Sequence, residues 1–316
     1  MDNTIIKKKN IISIFFTEFI RIKDVISWTL ISLIGFILGM TQLSIKIGLV
    51  PFLIFIATTL CIMAFTFAIN NFYDVKSDNI NPRRKKINAI ASGRILRKKA
   101  LFLLIVLAII PLIISIFFKL EIFLFCTYLL FLGWAYSAPP VRTKNIPVLD
   151  VIWHFIGFFS YIIWGSLISG SITSLTYLMA ISIGIFSSIG QVGNHISDYT
   201  SDKETGTVTF AVWAGLDKAK ITLNMLTFLH LIILIPLVLF YSIQYYASFF
   251  AFVAIAIVGL IILRPKRNAF PSKRCWTYYF AVVIGGGVYL SVLIYHILIL
   301  LNIRTLEFLN LLLILV

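Results

Sequence analysis

Stretches of about 20 apolar residues, the length an α-helix needs to cross a hydrocarbon core of roughly 30 Å, recur along the whole chain. They fall near 25–44, 48–69, 100–118, 121–138, 151–169, 174–193, 221–242, 245–263 and 277–301, with short charged links between them. Helices are the expected spanning form, because each satisfies its own backbone hydrogen bonds where there is no water. Hydrophobic residues make up 60% of the 316 and charged residues only 12%, a balance that no water-soluble fold of this size can bury. The expectation is an all-α membrane protein with nine transmembrane helices in a bundle around a central cavity.

A net charge of +15 would point to nucleic acid in a soluble protein, but the basic residues here sit in the links. Of the 27 Lys and Arg, 24 lie in 1–24, 70–99, 142–144, 194–220 and 264–274, while the alternate links hold only Lys46, Lys119 and Arg304. This is the positive-inside pattern. It predicts a multi-pass protein of the cell membrane with a cytoplasmic N-terminus, and makes the lipid bilayer, not nucleic acid, the partner of the charge. In segment 1–24, Phe15, Phe16, Phe19 and Ile20 alternate with Lys7, Lys8, Lys9, Glu18, Arg21 and Lys23. That pattern reads as an interfacial helix leading into the first span. Residues 25–304 form the helical domain, with cytoplasmic loops at 70–99 and 194–220, and 305–316 is an apolar tail too short to span. Cys61, Cys126 and Cys275 lack CxxC spacing and lie in or beside apolar runs, so they read as core thiols.

One pattern occurs twice. Asn70-x3-Asp74-x3-Asp78 follows the second span and Asn194-x3-Asp198-x3-Asp202 follows the sixth, 124 residues later and on the same basic side. From 13 Asn and 8 Asp, chance predicts roughly 0.008 copies. A spacing of four places each trio on one face of a helix that extends out of its span. A solvated helix end is an adequate reading of either cluster alone, but not of two in equivalent positions. Four converging carboxylates repel one another unless a cation sits between them. Mg²⁺ fits: it takes oxygen ligands, uses one or two carboxylates, and completes its shell with waters and phosphate oxygens. Asp74, Asp78, Asp198 and Asp202, with Asn70 and Asn194, are therefore the expected ligands of Mg²⁺ holding a diphosphate.

A diphosphate also needs cationic partners. Most of the basic loop residues serve topology and lipid headgroups. Arg94, after Ser92-Gly93, is the first choice as a diphosphate partner, followed by Arg142 and Lys144 after the Pro139-Pro140 turn. His195 lies within the second cluster, in reach of substrate. His154, His230 and His296 stand singly in spans and read as packing or locally hydrogen-bonded residues. Gly285, Gly286 and Gly287 suit close helix packing.

The stretch Asn70-Asn71-Phe72-Tyr73-Asp74-Val75-Lys76-Ser77-Asp78, with Asn81-Pro82 and Ser92-Gly93-Arg94 after it, resembles the first motif of the UbiA superfamily of intramembrane prenyltransferases. Tyr136-Ser137-Ala138-Pro139-Pro140-Val141-Arg142-Thr143-Lys144 resembles that family's loop after the fourth helix. The second cluster continues to Gly206, Thr209, Val212 and Gly215 in a way similar to the menaquinone-type branch. Two departures stand out: Arg21-Ile22-Lys23 replaces an Arg-Pro pair ahead of the first helix, and 83–90 is more basic than the usual loop. The resemblance implies Mg²⁺-dependent transfer of an isoprenyl group from an allylic polyprenyl diphosphate to a lipophilic or aromatic acceptor. Quinone precursors, phenolic acids and a glycerol-phosphate ether are the candidate acceptors. A terpene cyclase of the same superfamily is the alternative, since it forms the same cation without an external acceptor. A transporter of cations or phosphorylated solutes would instead need polar residues deep in the spans.

Overall fold

The computed structural model describes residues 10–42, 49–239, 246–262 and 276–301. Cys275, the basic stretch 264–274, Lys7 to Lys9 and the expected tail 305–316 lie outside them. All regular structure among the described residues is helical. The long helices are α1 (Ile22–Gln42), α2 (Leu49–Tyr73), α3 (Arg97–Ile116), α4 (Leu120–Ser137), α5 (Pro147–Ser169), α6 (Ser174–Thr205), α7 (Leu216–Leu237), α8 (Tyr246–Ile262) and α9 (Trp276–Leu300). Eight of these are long and apolar enough to cross a membrane; α8, at 17 residues, is the shorter exception. The surface of α3 shows what surrounds them. It buries Ala100, Leu104 and Pro111 but leaves Leu101, Phe102, Ile105, Ile109 and Ile113 exposed, an apolar stripe of the kind that faces lipid in a membrane-spanning helix.

The chain divides into two compact units, one of residues 1–30 and 52–142, the other of residues 31–51 and 143–316. In the first unit, α3 packs on α4, and Gly133 of α4 lets that helix approach Thr66 of α2. The expected N-terminal interfacial helix is instead a short, pinned segment. A four-residue turn, Ile11–Ile14, runs into a π-turn, Phe15–Phe19, and both Glu18 and Phe19 are buried. The chain then reverses at Arg21, whose φ of 56° is left-handed, and α1 starts at Ile22. Trp28 of α1 meets Phe67 of α2 edge-on, with ring centroids 4.9 Å apart.

In the second unit, α6 packs against α5, α7 and α9, and α8 against α9. Pro147 starts α5 where a missing amide hydrogen costs nothing, and Gly170 ends it in the left-handed conformation. A reciprocal Thr173–Thr176 capping box starts α6. The part of α1 beyond Leu30 crosses α5 glycine to glycine. Ser32 Oγ donates to the Tyr161 carbonyl at 2.7 Å, and Ser166 Oγ donates to the Gly35 carbonyl at 2.6 Å. A Cβ on Gly165 would run into the Ser32 carbonyl oxygen and the Phe36 amide nitrogen, both backbone atoms that cannot rotate away. Gly165→Ala is therefore expected to destabilise the protein by about 1–3 kcal/mol, the usual cost of overpacking, read as a lower midpoint of thermal unfolding in detergent.

Histidines and glycines in the spans behave as packing residues. His230 Nε2 lies 2.7 Å from the Tyr289 hydroxyl, His296 Nδ1 lies 2.8 Å from the Val292 carbonyl, and His154 stacks on Phe158. Gly285 and Gly287 sit closely against His230 and Phe252, but Gly286 does not share this role: among the described residues nothing lies within 4 Å of where its Cβ would stand.

Candidate functional site

The first acidic cluster lies where α2 leaves its span. The helix is interrupted at Asp74, whose φ of −86° and ψ of 0° put it in the bridge region, and resumes as Val75–Ile80. The i to i−4 bonding survives the break: Asp74 N donates to the Asn70 carbonyl at 3.0 Å and Asp78 N to the Asp74 carbonyl at 2.8 Å. The trio therefore keeps the common face expected from its spacing. Asn70, Asp74 and Asp78 line one cavity of about 610 Å³, together with Thr17, Arg21, Lys23 and Asp24 of the N-terminal segment and Arg84 and Asn88 of the following loop.

Two buried asparagines tie this wall together. The Asn71 side-chain amide donates to the carbonyls of Glu18 and Phe19, both at 2.9 Å, fixing the N-terminal segment to the end of α2. Asn88 Nδ2 donates to Asp78 Oδ2 and to the Asn71 carbonyl, both at 2.8 Å. Neither asparagine stood out in the sequence; only the proximity of Asn71 to the first cluster hints at it.

Arg142 is brought to the cluster by the turn after α4. Its amide closes the Ala138-to-Arg142 turn through a 2.8 Å bond to the Ala138 carbonyl, with a cis peptide between Pro139 and Pro140 and a φ of 38° at Arg142 itself. A left-handed non-glycine residue costs on the order of 1–3 kcal/mol and persists only where the surroundings hold it. Here the guanidinium meets Asp74 Oδ1 at 3.0 Å. Arg94 is placed differently. It is not among the cavity-lining residues; its guanidinium contacts the buried Glu18 carboxylate at 2.8 Å, the Ser92 hydroxyl at 2.9 Å and the Lys86 carbonyl. The cations on the cavity wall are instead Arg21 and Lys23, which the sequence marked only as a departure ahead of the first helix, and Arg84 of the basic loop. Lys144 is half-buried in the one-turn 3₁₀ helix Thr143–Asn145, within the second unit.

The second cluster rides on α6. At 1.5 Å per residue its 32 residues reach about 48 Å, well past a hydrocarbon core of roughly 30 Å. Asn194 and Asp198 are exposed on this extension and Asp202 is buried. The helix stops just beyond: Thr207 N donates to the Asp202 carbonyl at 2.8 Å and Gly206, at a φ of 71°, closes the cap. His195 turns inward instead. Its Nε2 lies 3.0 Å from Asp150 Oδ2 and 3.1 Å from Gln191 Nε2, and Gln191 donates to the same Asp150 oxygen at 2.7 Å. Asp150, near the start of α5, is 3% exposed and gave no sequence signal, because its partners are 41 and 45 residues away.

Among the described residues no group of three or more His, Cys, Asp or Glu forms a closed metal cage. The donors of the first cluster are two carboxylates and an amide on an accessible cavity wall. That set fits a hard cation which keeps several waters and takes phosphate oxygens, as Mg²⁺ does.

The sequence model of the UbiA prenyltransferase family matches residues 29–284. The digeranylgeranylglyceryl phosphate synthase of Korarchaeum cryptofilum is 29% identical over 180 residues, 55% of this chain and 59% of that protein. The match thus spans less than two thirds of that relative. The enzyme of the same name from Sulfurisphaera tokodaii is 26% identical over 247 residues, covering 78% of this chain and 82% of that one. A solved structure of a UbiA homolog from Archaeoglobus fulgidus bound to DMAPP and Mg²⁺ is similar at a TM-score of 0.67 and 20% identity, over 90% of this chain and 98% of that one. At that identity the likeness speaks for the fold.

Proposed function

The chain belongs to the UbiA prenyltransferase family, and from that premise we propose that it transfers an isoprenyl group from an allylic polyprenyl diphosphate to an acceptor within the membrane, with Mg²⁺ as cofactor. The observation that carries the reading is the convergence of Asn70, Asp74 and Asp78 on one cavity beside cationic side chains, with Arg142 fixed on Asp74. Asp74, Asp78 and Asn70, with Asp198, Asp202 and Asn194 of the second cluster, would hold the metal. Bound Mg²⁺ supplies charge neutralisation on the departing diphosphate, which lowers the cost of ionising the allylic C–O bond.

The chain's own residues supply the rest. Arg142 orients Asp74 and offsets its charge. Arg21, Lys23 and Arg84 offset the charge of the anion in the cavity. The C–O electron pair leaves with diphosphate, the allylic carbon bonds to the acceptor, and the acceptor proton passes to water. The apolar helices keep that water from the cation until the acceptor attacks. The distribution of Lys and Arg supports placing the motif regions 70–99 and 194–220, the latter largely the end of α6, toward the cytoplasm.

Relatives named digeranylgeranylglyceryl phosphate synthase support a glycerol-phosphate ether as the acceptor. Membranes carrying the protein, given labelled geranylgeranyl diphosphate and a panel of a glycerol-phosphate ether, quinone precursors and phenolic acids, are expected to yield a labelled phospholipid ether. A labelled quinone precursor or phenolic acid would replace the acceptor and keep the reaction. A cyclic hydrocarbon formed without acceptor would overturn the transferase reading, and unreleased diphosphate under all conditions would overturn the site.

A further inference from the structure

The Asn88 side chain is 1% exposed, and all four of its hydrogen-bonding positions are used. Its two amide hydrogens go to the Asn71 carbonyl and to Asp78 Oδ2, both at 2.8 Å. Its oxygen accepts from Ile90 N at 2.9 Å and Ala91 N at 3.2 Å. An asparagine amide offers two donors and an oxygen with two acceptor sites, so this set fixes its orientation: flipped, it would aim its oxygen at a carboxylate. One end of Asn88 therefore builds a turn of the loop, and the other grips a carboxylate of the acidic cluster. The Asn71 backbone that it also grips belongs to the residue whose side chain anchors the N-terminal segment.

We propose that Asn88 is a positioning residue for metal binding at the first cluster: its amide sets the rotamer of Asp78, and so the direction in which that carboxylate meets a cation in the cavity. This rests on the metal–diphosphate reading of the cavity given above. Groups that hydrogen-bond a metal-ligating carboxylate orient it, and losing one typically weakens metal affinity about 10–100-fold. A residue that serves only the turn would change unfolding and leave metal affinity as it was.

Two substitutions separate these roles. Asn88→Leu keeps the branched shape, with two bulkier methyl groups, and removes every polar contact. Asn88→Ser keeps a short oxygen able to accept from the Ile90 and Ala91 amides, as hydroxyls do in such turns, but cannot reach Asp78. The probe is Mn²⁺ added to purified protein without substrate, with binding followed by loss of the free-ion electron paramagnetic resonance signal and unfolding followed in the same detergent. The expected result is Mn²⁺ binding at least 10-fold weaker in Asn88→Ser than in wild type, in a protein that still folds but unfolds at a lower midpoint because Asp78 and the Asn71 carbonyl each lose a donor, and the same weakening in Asn88→Leu if it folds. Wild-type Mn²⁺ affinity in a folded Asn88→Ser protein overturns the proposal. So does an Asn88→Ser protein that fails to fold, since the turn alone would then account for Asn88. If wild type itself binds no Mn²⁺, what fails is the metal reading of the cavity, and the positioning role fails with it.

Discussion

Alanine in place of Asp74, or of Asp198, is expected to cut Mg²⁺-dependent diphosphate release from an allylic diphosphate by at least about 10²–10³-fold, with the protein still folded in detergent. That factor is what removing a single preorganised group at developing charge costs in other enzymes. A metal ligand stands to cost more, because the cation's position is lost with it. Asp74 lines the cavity and is held by Arg142, so its removal also leaves that guanidinium without its carboxylate partner. Asp198 is exposed on the helical extension of α6, so its loss disturbs no packing. The two variants thus probe the two clusters from different surroundings. Equal, severe losses support one reaction that needs both clusters, whereas full activity in either variant would remove that cluster from the site. The assay is released diphosphate against time at saturating Mg²⁺, with unfolding measured alongside.

Arg94→Ala is expected to lower the unfolding free energy by about 3 kcal/mol, the lower end of what breaking a buried ion pair costs. The lower end applies because the Arg94 side chain is 31% exposed, while that of Glu18 is 7% exposed. The loss arises at the carboxylate: without the guanidinium at 2.8 Å, a buried negative charge keeps its desolvation cost and loses that partner's compensation. A double variant, Glu18→Leu with Arg94→Leu, is expected to recover most of the stability, since apolar replacement of both partners is often nearly neutral. Denaturant unfolding of the three proteins in one detergent measures the effect. The diphosphate-binding role expected from the Ser92-Gly93-Arg94 sequence predicts the opposite signature: a raised KM for the prenyl diphosphate and unchanged unfolding.

The contrast between Arg94 and Arg142 shows what the sequence could and could not tell. Both are arginines after turn-forming residues, and spacing alone treats them alike. The Ala138-to-Arg142 turn carries Arg142 onto Asp74, whereas the 88–94 turn carries Arg94 onto Glu18, and that difference is made by tertiary contacts. Glu18 itself was read as part of the polar face of an amphipathic helix, because a periodic pattern does not distinguish a solvated charge from one paired inside the protein. The helices were legible for the converse reason. Apolar length is a property of the local sequence, and the nine apolar runs coincide with α1 to α9 to within a few residues at most ends. The common face of Asn70, Asp74 and Asp78 was legible too, since i to i−4 bonding continues through the break at Asp74. Of the Asp150–Gln191–His195 group, only the four-residue step from Gln191 to His195 could be seen, because the third member stands on another helix.

The uninterrupted run of α6 from its capping box at Thr173 to its stop at Gly206 gives the second cluster a fixed gauge. A functional group on a loop can absorb an added residue by bulging outward. One carried on a rod cannot: each residue gained or lost within the rod would turn everything beyond it by about 100° and slide it by about 1.5 Å. On the proposed reading of the second cluster as metal ligands, the length of α6 would be a dimension of the chemistry, ruled off in whole residues. The first cluster starts on a rod of the same kind, with Asn70 within α2, and only its last member stands beyond the joint at Asp74.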